Sequence, residues 1–468
     1  MNLDKVTDIH DLQKIARRRV PRMFYDYADS GAWSESTYRD NTDAFSRIKL
    51  RQRVARNIDN RSLATTMVGQ EVSMPVALAP VGFTGMQHPD GEIHAARAAE
   101  KFGVPFTLST MSICSIEAVA AATSKPFWFQ LYVMRDRGFA ADLIARAKAA
   151  GCSALVLTLD LQILAQRHKD IKNGLSAPPK PTLANLVNLA FKPAWCLGML
   201  QTQNRSFGNI VGHVKGVEDM SSLSDWTNSQ FDPTLDWESV EWIKKHWDGP
   251  LILKGVNDVE DARIAAGAGA DAIVVSNHGG RQLDGAAASI DMLAPIVDAV
   301  GDKIEVHLDS GIRSGQDIFK AVALGAQSTF VGRAFIYGLG AAGEAGVAKA
   351  LQLLRKELDI TMALAGETDI ANVGHHNLLT PPATARKVMK AKAPAKPVAK
   401  PKAAAKPKAA AAAAKTTTKR GSAAKPKAPA KAKTPAKRKP APASRFPCAR
   451  NTCTRKPATA ASPWGKDR

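Results

Sequence analysis

The sequence predicts an α/β fold closed into a (β/α)8 TIM barrel, with an N-terminal helical segment and a disordered C-terminal tail. Three observations carry this. Between Val76 and Arg333 the chain repeats one theme: a short buried apolar run, a polar loop, then an amphipathic Ala-rich stretch. Such alternation marks parallel βαβ units. The theme recurs eight times, which favours a closed barrel over an open sheet. From about Ala385 the composition collapses to Lys, Ala and Pro, where frequent proline interrupts any helix and apolar bulk is too sparse for a core.

In order, residues 1–75 read as a helical entry segment of the catalytic domain. The barrel, 76–380, has strand candidates at Val76–Pro80, Phe106–Ser109, Phe127–Tyr132, Ala154–Asp160, Leu251–Val256, Ala272–Asn277, Glu305–Ser310 and Ser328–Arg333. Between the fourth and fifth lies a long excursion, about 162–248. Its middle, 181–216, is apolar and basic (Lys192, Arg205, Lys215) and contains no acid. It reads as a mobile loop, a lid, a partner surface or a patch lying on an anionic membrane. Residues 386–468 form the Lys/Ala/Pro-rich basic tail.

Charge divides the same way. The chain of 468 residues carries a formal +21. The tail holds 25 Lys and Arg against one acid, Asp467, leaving 39 basic and 42 acidic residues in 1–385. The basic character belongs to the tail, so net charge says little about what the core does. Five scattered cysteines (Cys114, Cys152, Cys196, Cys448, Cys453) make no CxxC pair, which argues against a disulfide framework or a zinc site; no metal is expected. The opening Met1–Lys5 has no apolar signal core, and no apolar run of about 20 residues predicts a spanning helix. The expected location is cytoplasmic, or peripheral on the inner face of the cytoplasmic membrane.

The carboxyl ends of barrel strands are where such folds place their active sites. Here the fourth ends Thr158-Leu-Asp160, followed by Arg167, and the fifth carries Lys254. The sixth continues Ser276-Asn-His278-Gly-Gly-Arg281-Gln-Leu-Asp284, the seventh Asp309-Ser-Gly-Ile-Arg313, and the eighth Val331-Gly332-Arg333. Gly and Arg after strands 7 and 8 suit a phosphate cradle, although Gly311 and Gly332 as mere tight turns would read the same. Histidine can act as a base near neutrality, and a guanidinium can grip a carboxylate bidentately. The pair His278/Arg281 therefore suits oxidation of a 2-hydroxy acid, against the blander reading of a structural histidine. Gly338-Leu-Gly340-Ala-Ala-Gly343 matches a dinucleotide fingerprint but follows the last strand without a βαβ unit, and reads as tight helix entry. Gly267-Ala-Gly269-Ala-Asp271 reads as a helix end before the sixth strand.

The string Ser276–Asp284 closely resembles the active-site signature of the FMN-dependent L-2-hydroxy acid oxidases and dehydrogenases, the family of glycolate oxidase, L-lactate dehydrogenase (cytochrome) and mandelate dehydrogenase. Tyr25-Asp-Tyr27-Ala-Asp-Ser-Gly-Ala32, Leu78-Ala-Pro-Val-Gly82, Phe129-Gln-Leu-Tyr132 and Asp170-Ile-Lys-Asn-Gly174 match in order, so the resemblance runs from about residue 5 to 375. It implies FMN as cofactor and a 2-hydroxy acid, L-lactate first, as substrate. Tyr27, Arg167 and Arg281 would hold the substrate carboxylate, and Tyr132 would bond near its hydroxyl. His278 would take the hydroxyl proton while the C2 hydrogen leaves as hydride to flavin N5; a carbanion route uses the same residues. Asp160 would stabilise the imidazolium and raise the histidine's pKa. Lys254 would lie near flavin N1. Ser109, Gln130 and Thr158 would bond the ring edge, while Asp309, Arg313, Gly332 and Arg333 complete the cofactor set, the last three at the phosphate.

Departures from the family pattern matter. After Asp160 the chain reads Leu-Gln-Ile-Leu-Ala-Gln-Arg167 where many members have Pro and Gly, so the Arg167 assignment depends on register. Gly82 stands where several oxidases have alanine, leaving room for a bulkier substrate or changing oxygen access. With no cytochrome domain in the chain, the electron acceptor is oxygen, a quinone or an external cytochrome, and the apolar, basic 181–216 stretch favours a membrane quinone. The family often forms tetramers, so a homo-oligomer is expected. A different FMN barrel, such as an isomerase, would lack His278 and Arg281 with Tyr27. The tail resembles linker-histone tails and suits non-specific polyanion contact or an anionic-surface tether.

Overall fold

A computed structural model describes residues 2–175, 182–214 and 230–380. The expected tail, 386–468, and the excursion's Lys215 lie outside the described residues.

Strands β1 (Val76–Leu78), β2 (Thr107–Ser109), β3 (Trp128–Tyr132), β4 (Ala154–Thr158), β5 (Leu251–Val256), β6 (Ala272–Val275), β7 (Glu305–Leu308) and β8 (Ser328–Val331) form one parallel sheet. Neighbours in sequence are neighbours in space, and β8 returns to pair with β1. A parallel bridge from Leu78 to Phe106, with the Leu78 N–H donating to Pro105 O at 2.8 Å, joins β1 to β2 and closes the ring. The fourth and eighth runs stop as strand at Thr158 and Val331, so Asp160 and Arg333 stand in the loop and helix beyond.

Side chains alternate faces along a strand. Ala77, Trp128, Ala154, Val156, Ile252, Ala272, Val274 and Phe330 form one buried cluster, the barrel interior, while Leu155, Leu157, Leu253, Ile273 and Val275 belong to a second cluster shared with the helices. Carried towards the carboxyl ends, the inward parity reaches Gln130, Thr158, Lys254, Ser276 and Asp309. The barrel thus ends in a polar layer built on an apolar floor. Its other end is closed by an antiparallel pair, Thr65–Met67 with Gln70–Val72, whose Met67 and Val72 join the interior cluster. This hairpin interrupts the stretch that the sequence reads as helical.

Among its described residues that stretch otherwise holds a 3-10 turn, Leu3–Lys5, and three α-helices: α1 (Ile9–Arg19), α2 (Arg22–Ala28) and α3 (Ser36–Arg47). The first packs along the final helix, Arg333–Ala365. The run Gly338–Gly343 lies at a junction of two helices: the stretch Arg333–Ala365 leaves helical angles at Ala342 and Gly343, so the run ends one helix and leads into the next. A Cβ on Gly338 would stand 2.3 Å from the Gly346 carbonyl oxygen, so these glycines let two backbone stretches touch. The helix Val259–Gly267 ends where expected, with Gly269 at φ 82°.

The excursion holds the helices His168–Lys172, Leu183–Ala190, Pro193–Gln201 and Trp237–His246. Between them the chain dips back to the barrel, where buried Asn209 donates to Ser112 Oγ at 2.9 Å and accepts from the Ile116 N–H at 2.9 Å.

Candidate active site

After β6 the chain turns through three consecutive left-handed residues, His278 (φ 58°), Gly279 (φ 68°) and Gly280 (φ 72°). Gly280 is required there, since a Cβ would meet Tyr38 N at 2.4 Å. His278 carries this conformation as a non-glycine, which has to be stabilised by its surroundings. Its N–H donates to Ser276 Oγ at 3.1 Å, and Ser310 Oγ accepts from the Gly279 N–H at 3.0 Å. The turn swings the imidazole over to the end of β4, where Nδ1 lies 2.8 Å from Asp160 Oδ1. Gln282 fixes the opposing loop by donating to Asp160 O at 2.8 Å and Ile163 O at 2.9 Å.

Asp160 reaches this position because β5 bulges at Gly255: the register with β6 shifts between Lys254 and Val256, and a Cβ on Gly255 (φ 103°) would stand 2.6 Å from Asp160 Cγ. Burial pushes the Asp160 carboxyl up, but the His278 charge, their hydrogen bond and Lys254 outweigh it and hold it below the usual range. The sequence predicts a raised histidine pKa; here it is lowered, because burial exceeds the pull of Asp160 and Lys254 and Arg281 repel the extra charge. The resting pair is a carboxylate beside a neutral imidazole. With Nδ1–H donated to Asp160, Nε2 carries the lone pair.

Around it stand the clamp residues. Arg281 is held by the carbonyls of Tyr27 at 2.5 Å and Ser30 at 3.3 Å, with its guanidinium 4.7 Å over the Tyr27 ring. Burial and Arg167 push its pKa down to about 10, which leaves it charged at neutral pH. Arg167 joins the same group, 5.7 Å over the Tyr27 ring. Tyr132, on β3, lies in the field of Tyr27, Asp160, Arg167 and Arg281, and burial raises its phenol so that it stays protonated. Tyr27 also packs on Phe83 at 4.9 Å, which meets Phe207 of the excursion at 4.6 Å. A Cβ at Gly82 would touch Met111 Cβ at 3.2 Å and the Tyr27 hydroxyl at 3.3 Å, so this position adjoins the tyrosine itself.

Lys254 ion-pairs Asp309 at 2.7 Å and donates to Ser276 Oγ at 2.9 Å. Burial works against its charge, but Asp309 and Asp160 win, and its pKa is raised. Asp309 therefore meets the cofactor layer through Lys254. Ser109 donates to Gln130 Oε1 at 3.0 Å, whereas Gln130 Nε2 and Thr158 Oγ1 are buried without a partner. Orphaned buried polar atoms are costly, and a flavin edge, which both donates and accepts, would satisfy them. Gly332 precedes the helix that starts at Arg333, which has no side-chain cap, and a Cβ on Gly332 would meet only ordinary contacts at 3.9 Å from Ala79 and Val81, so a helix N-terminus without a capping side chain stands at the end of β8. Arg333 donates to Ala28 O, Gly279 O and Ser30 O, while Arg313 lies 5.8 Å from the Tyr337 ring. These residues fit FMN: an amide, a hydroxyl and a cation for the ring, and a helix terminus with arginines for the phosphate.

Several supporting residues escape sequence reasoning. Ser276 and Ser310 brace the histidine turn, Asn41 exchanges 2.8 Å hydrogen bonds with Asn277, and Asp284 binds Ser34, Ser36 and the Thr37 N–H. Asp284 was visible as the last letter of the motif; Asn41, far away in α3, gave no signal.

A sequence profile of the FMN-dependent dehydrogenase family matches residues 16–380. The L-lactate dehydrogenase of Caulobacter vibrioides is 47% identical over 370 residues, 79% of this chain and 96% of that protein. The one from Ectopseudomonas mendocina is 46% identical over 365 residues, 78% and 96%. The solved structure of the monotopic membrane protein (S)-mandelate dehydrogenase is 34% identical with a TM-score of 0.77, covering 81% of this chain and 100% of that one. The crystal structure of a mandelate oxidase is 38% identical with a TM-score of 0.68, covering 79% and 97%.

Proposed function

This chain belongs to the FMN-dependent dehydrogenase family and oxidises a 2-hydroxy acid, and on that premise we propose that its substrate is L-lactate and its base His278. The observation that supports the base most is the half-buried His278–Asp160 contact of 2.8 Å. Arg281 and Arg167 bind the substrate carboxylate beside Tyr27. Tyr132 donates its phenol hydrogen towards the substrate hydroxyl. His278 Nε2 accepts the hydroxyl proton, and ionised Asp160 stabilises the imidazolium so formed. FMN, when bound, supplies the two-electron acceptor for the hydrogen leaving C2, and Lys254 offsets the negative charge that follows. Gly82 supports a second reading, a bulkier acid such as L-mandelate. Anaerobic addition of L-lactate, glycolate and L-mandelate to the yellow holoenzyme separates these readings: L-lactate is expected to bleach the flavin fastest. Bleaching by none of the three would reject this substrate class.

We also propose peripheral membrane attachment and a membrane quinone as acceptor. No described helix is long and apolar enough to cross a membrane, but Leu183–Ala190 and Pro193–Gln201 form an apolar pair bent by 91°. Their apolar side chains face outward, with Leu183 78%, Phe191 77% and Leu200 70% exposed. Their polar groups hold the pair down: Trp195 Nε1 donates to Met86 O at 2.9 Å, and Asn188 accepts from the Arg22 N–H at 2.8 Å. An apolar face with such anchoring suits insertion to headgroup depth. The basic tail would add salt-sensitive adsorption to polyanions. In sedimentation with anionic vesicles, serine at Leu183, Phe191 and Leu200 is expected to abolish the salt-resistant binding. Truncation after 385 should remove only the salt-sensitive part; equal sedimentation of all three proteins at high salt would contradict the assignment.

A further inference from the structure

The short helix His168–Lys172 presents a carboxylate that the mechanism above does not use. Asp170 Oδ2 lies 3.5 Å from Arg167 Nε, and the two side chains are only 13% and 12% exposed. Its other oxygen, Oδ1, is buried without a partner. Burial raises this carboxyl above its usual range; Arg281, Arg167 and Lys169 pull against that, while Asp26 of α2 adds to it. Lys169 is itself engaged with Glu35 at 3.0 Å and the Asp29 carbonyl at 2.9 Å, so the cations that face Asp170 most directly are the two of the clamp. The helix is also tied to the substrate tyrosine's own helix, through Asn173 Nδ2 donating to Asp26 Oδ2 at 2.8 Å. One carboxylate oxygen of Asp170 is thus left bare beside arginines gathered for a different carboxylate.

We infer that Asp170 is a positioning residue that moderates the substrate clamp: it partly neutralises Arg167 and Arg281, weakening their hold on a carboxylate so that the 2-oxo acid product leaves. The inference rests on the reading that these arginines bind the substrate carboxylate. Substrate and product carry the same anionic group, so a clamp of two uncompensated guanidiniums in a buried site would retain both. One negative charge held several ångströms away reduces that attraction without occupying the substrate's position.

The test is oxalate binding to the FMN-loaded protein, followed by calorimetry and by the flavin spectrum. Oxalate presents carboxylate oxygens but has no C2 hydrogen to lose. Asp170→Asn, which keeps the shape and an acceptor oxygen for Arg167, is expected to bind oxalate roughly tenfold tighter than wild type. With L-lactate, its KM and kcat should fall together as product release slows. A merely structural role predicts the reverse, since a loosened Arg167 binds anions less well. Asp170→Ser, neutral and smaller, provides the same comparison if the asparagine protein does not accumulate. Unchanged or weaker oxalate binding in the neutral variants overturns the inference while leaving the clamp intact. A wild-type protein that takes no oxalate overturns the clamp reading itself, and this inference with it.

Discussion

His278→Gln is expected to lower the rate at which L-lactate bleaches the bound flavin by roughly 10³–10⁴-fold, with FMN still bound. Glutamine fills a similar volume and can still hydrogen-bond Asp160, but its amide nitrogen is no base at any accessible pH. The proposed cofactor layer, by contrast, consists of Gln130, Thr158, Lys254 and the Gly332 helix terminus, none of which needs the imidazole. The imidazole is half-buried, 19% exposed, and its charged form is disfavoured. The check is stopped-flow mixing under anaerobic conditions, with the cofactor content read from the absorbance spectrum. A loss below tenfold would assign the proton to another group.

Gly255→Ala should damage the site severely although it adds a single carbon. The new Cβ would fall 2.6 Å from Asp160 Cγ, in a strand bulge whose φ of 103° an alanine resists. Asp160 must then move off His278, and misplacement by about an ångström costs around 100-fold in flavin reduction. Asp160→Asn, which introduces no clash, is expected to lose at least as much rate, because an asparagine cannot balance the imidazolium. The two variants differ in stability: Gly255→Ala should melt at lower temperature than Asp160→Asn, since only the former strains β5. Wild-type turnover in Gly255→Ala would mean that the Asp160–His278 contact is not what β5 is shaped to protect.

This difference also separates what the chain discloses in one dimension from what it does not. Strand runs ending in polar residues announce a barrel and its catalytic face, because parallel strands are buried on both sides and turn polar only where a site begins. Thus His278, Arg281, Lys254 and Thr158 were legible from position alone, while the cofactor and the roles followed from the resemblance. The hairpin Thr65–Val72 was not legible: its strands are three residues each, too short for period-two alternation to register. The Gly255 bulge was also hidden, since Leu251–Val256 reads as one continuous strand straight through the glycine. The direction of the His278 shift was misread for a related reason. Sequence reveals the neighbouring carboxylate but not how deeply the ring is buried, and burial decides the sign.

The pH dependence of anaerobic flavin reduction at limiting L-lactate tests the central claim most directly. On the proposed role as base, catalysis needs His278 neutral, and burial lowers its pKa from the ordinary 6.5. The second-order rate constant should therefore hold steady through neutral pH and fall about tenfold per unit only below a midpoint under 6.5. The acid limb should vanish in His278→Gln. A midpoint at or above 6.5, or an acid limb that survives in that variant, would contradict a neutral histidine as the base.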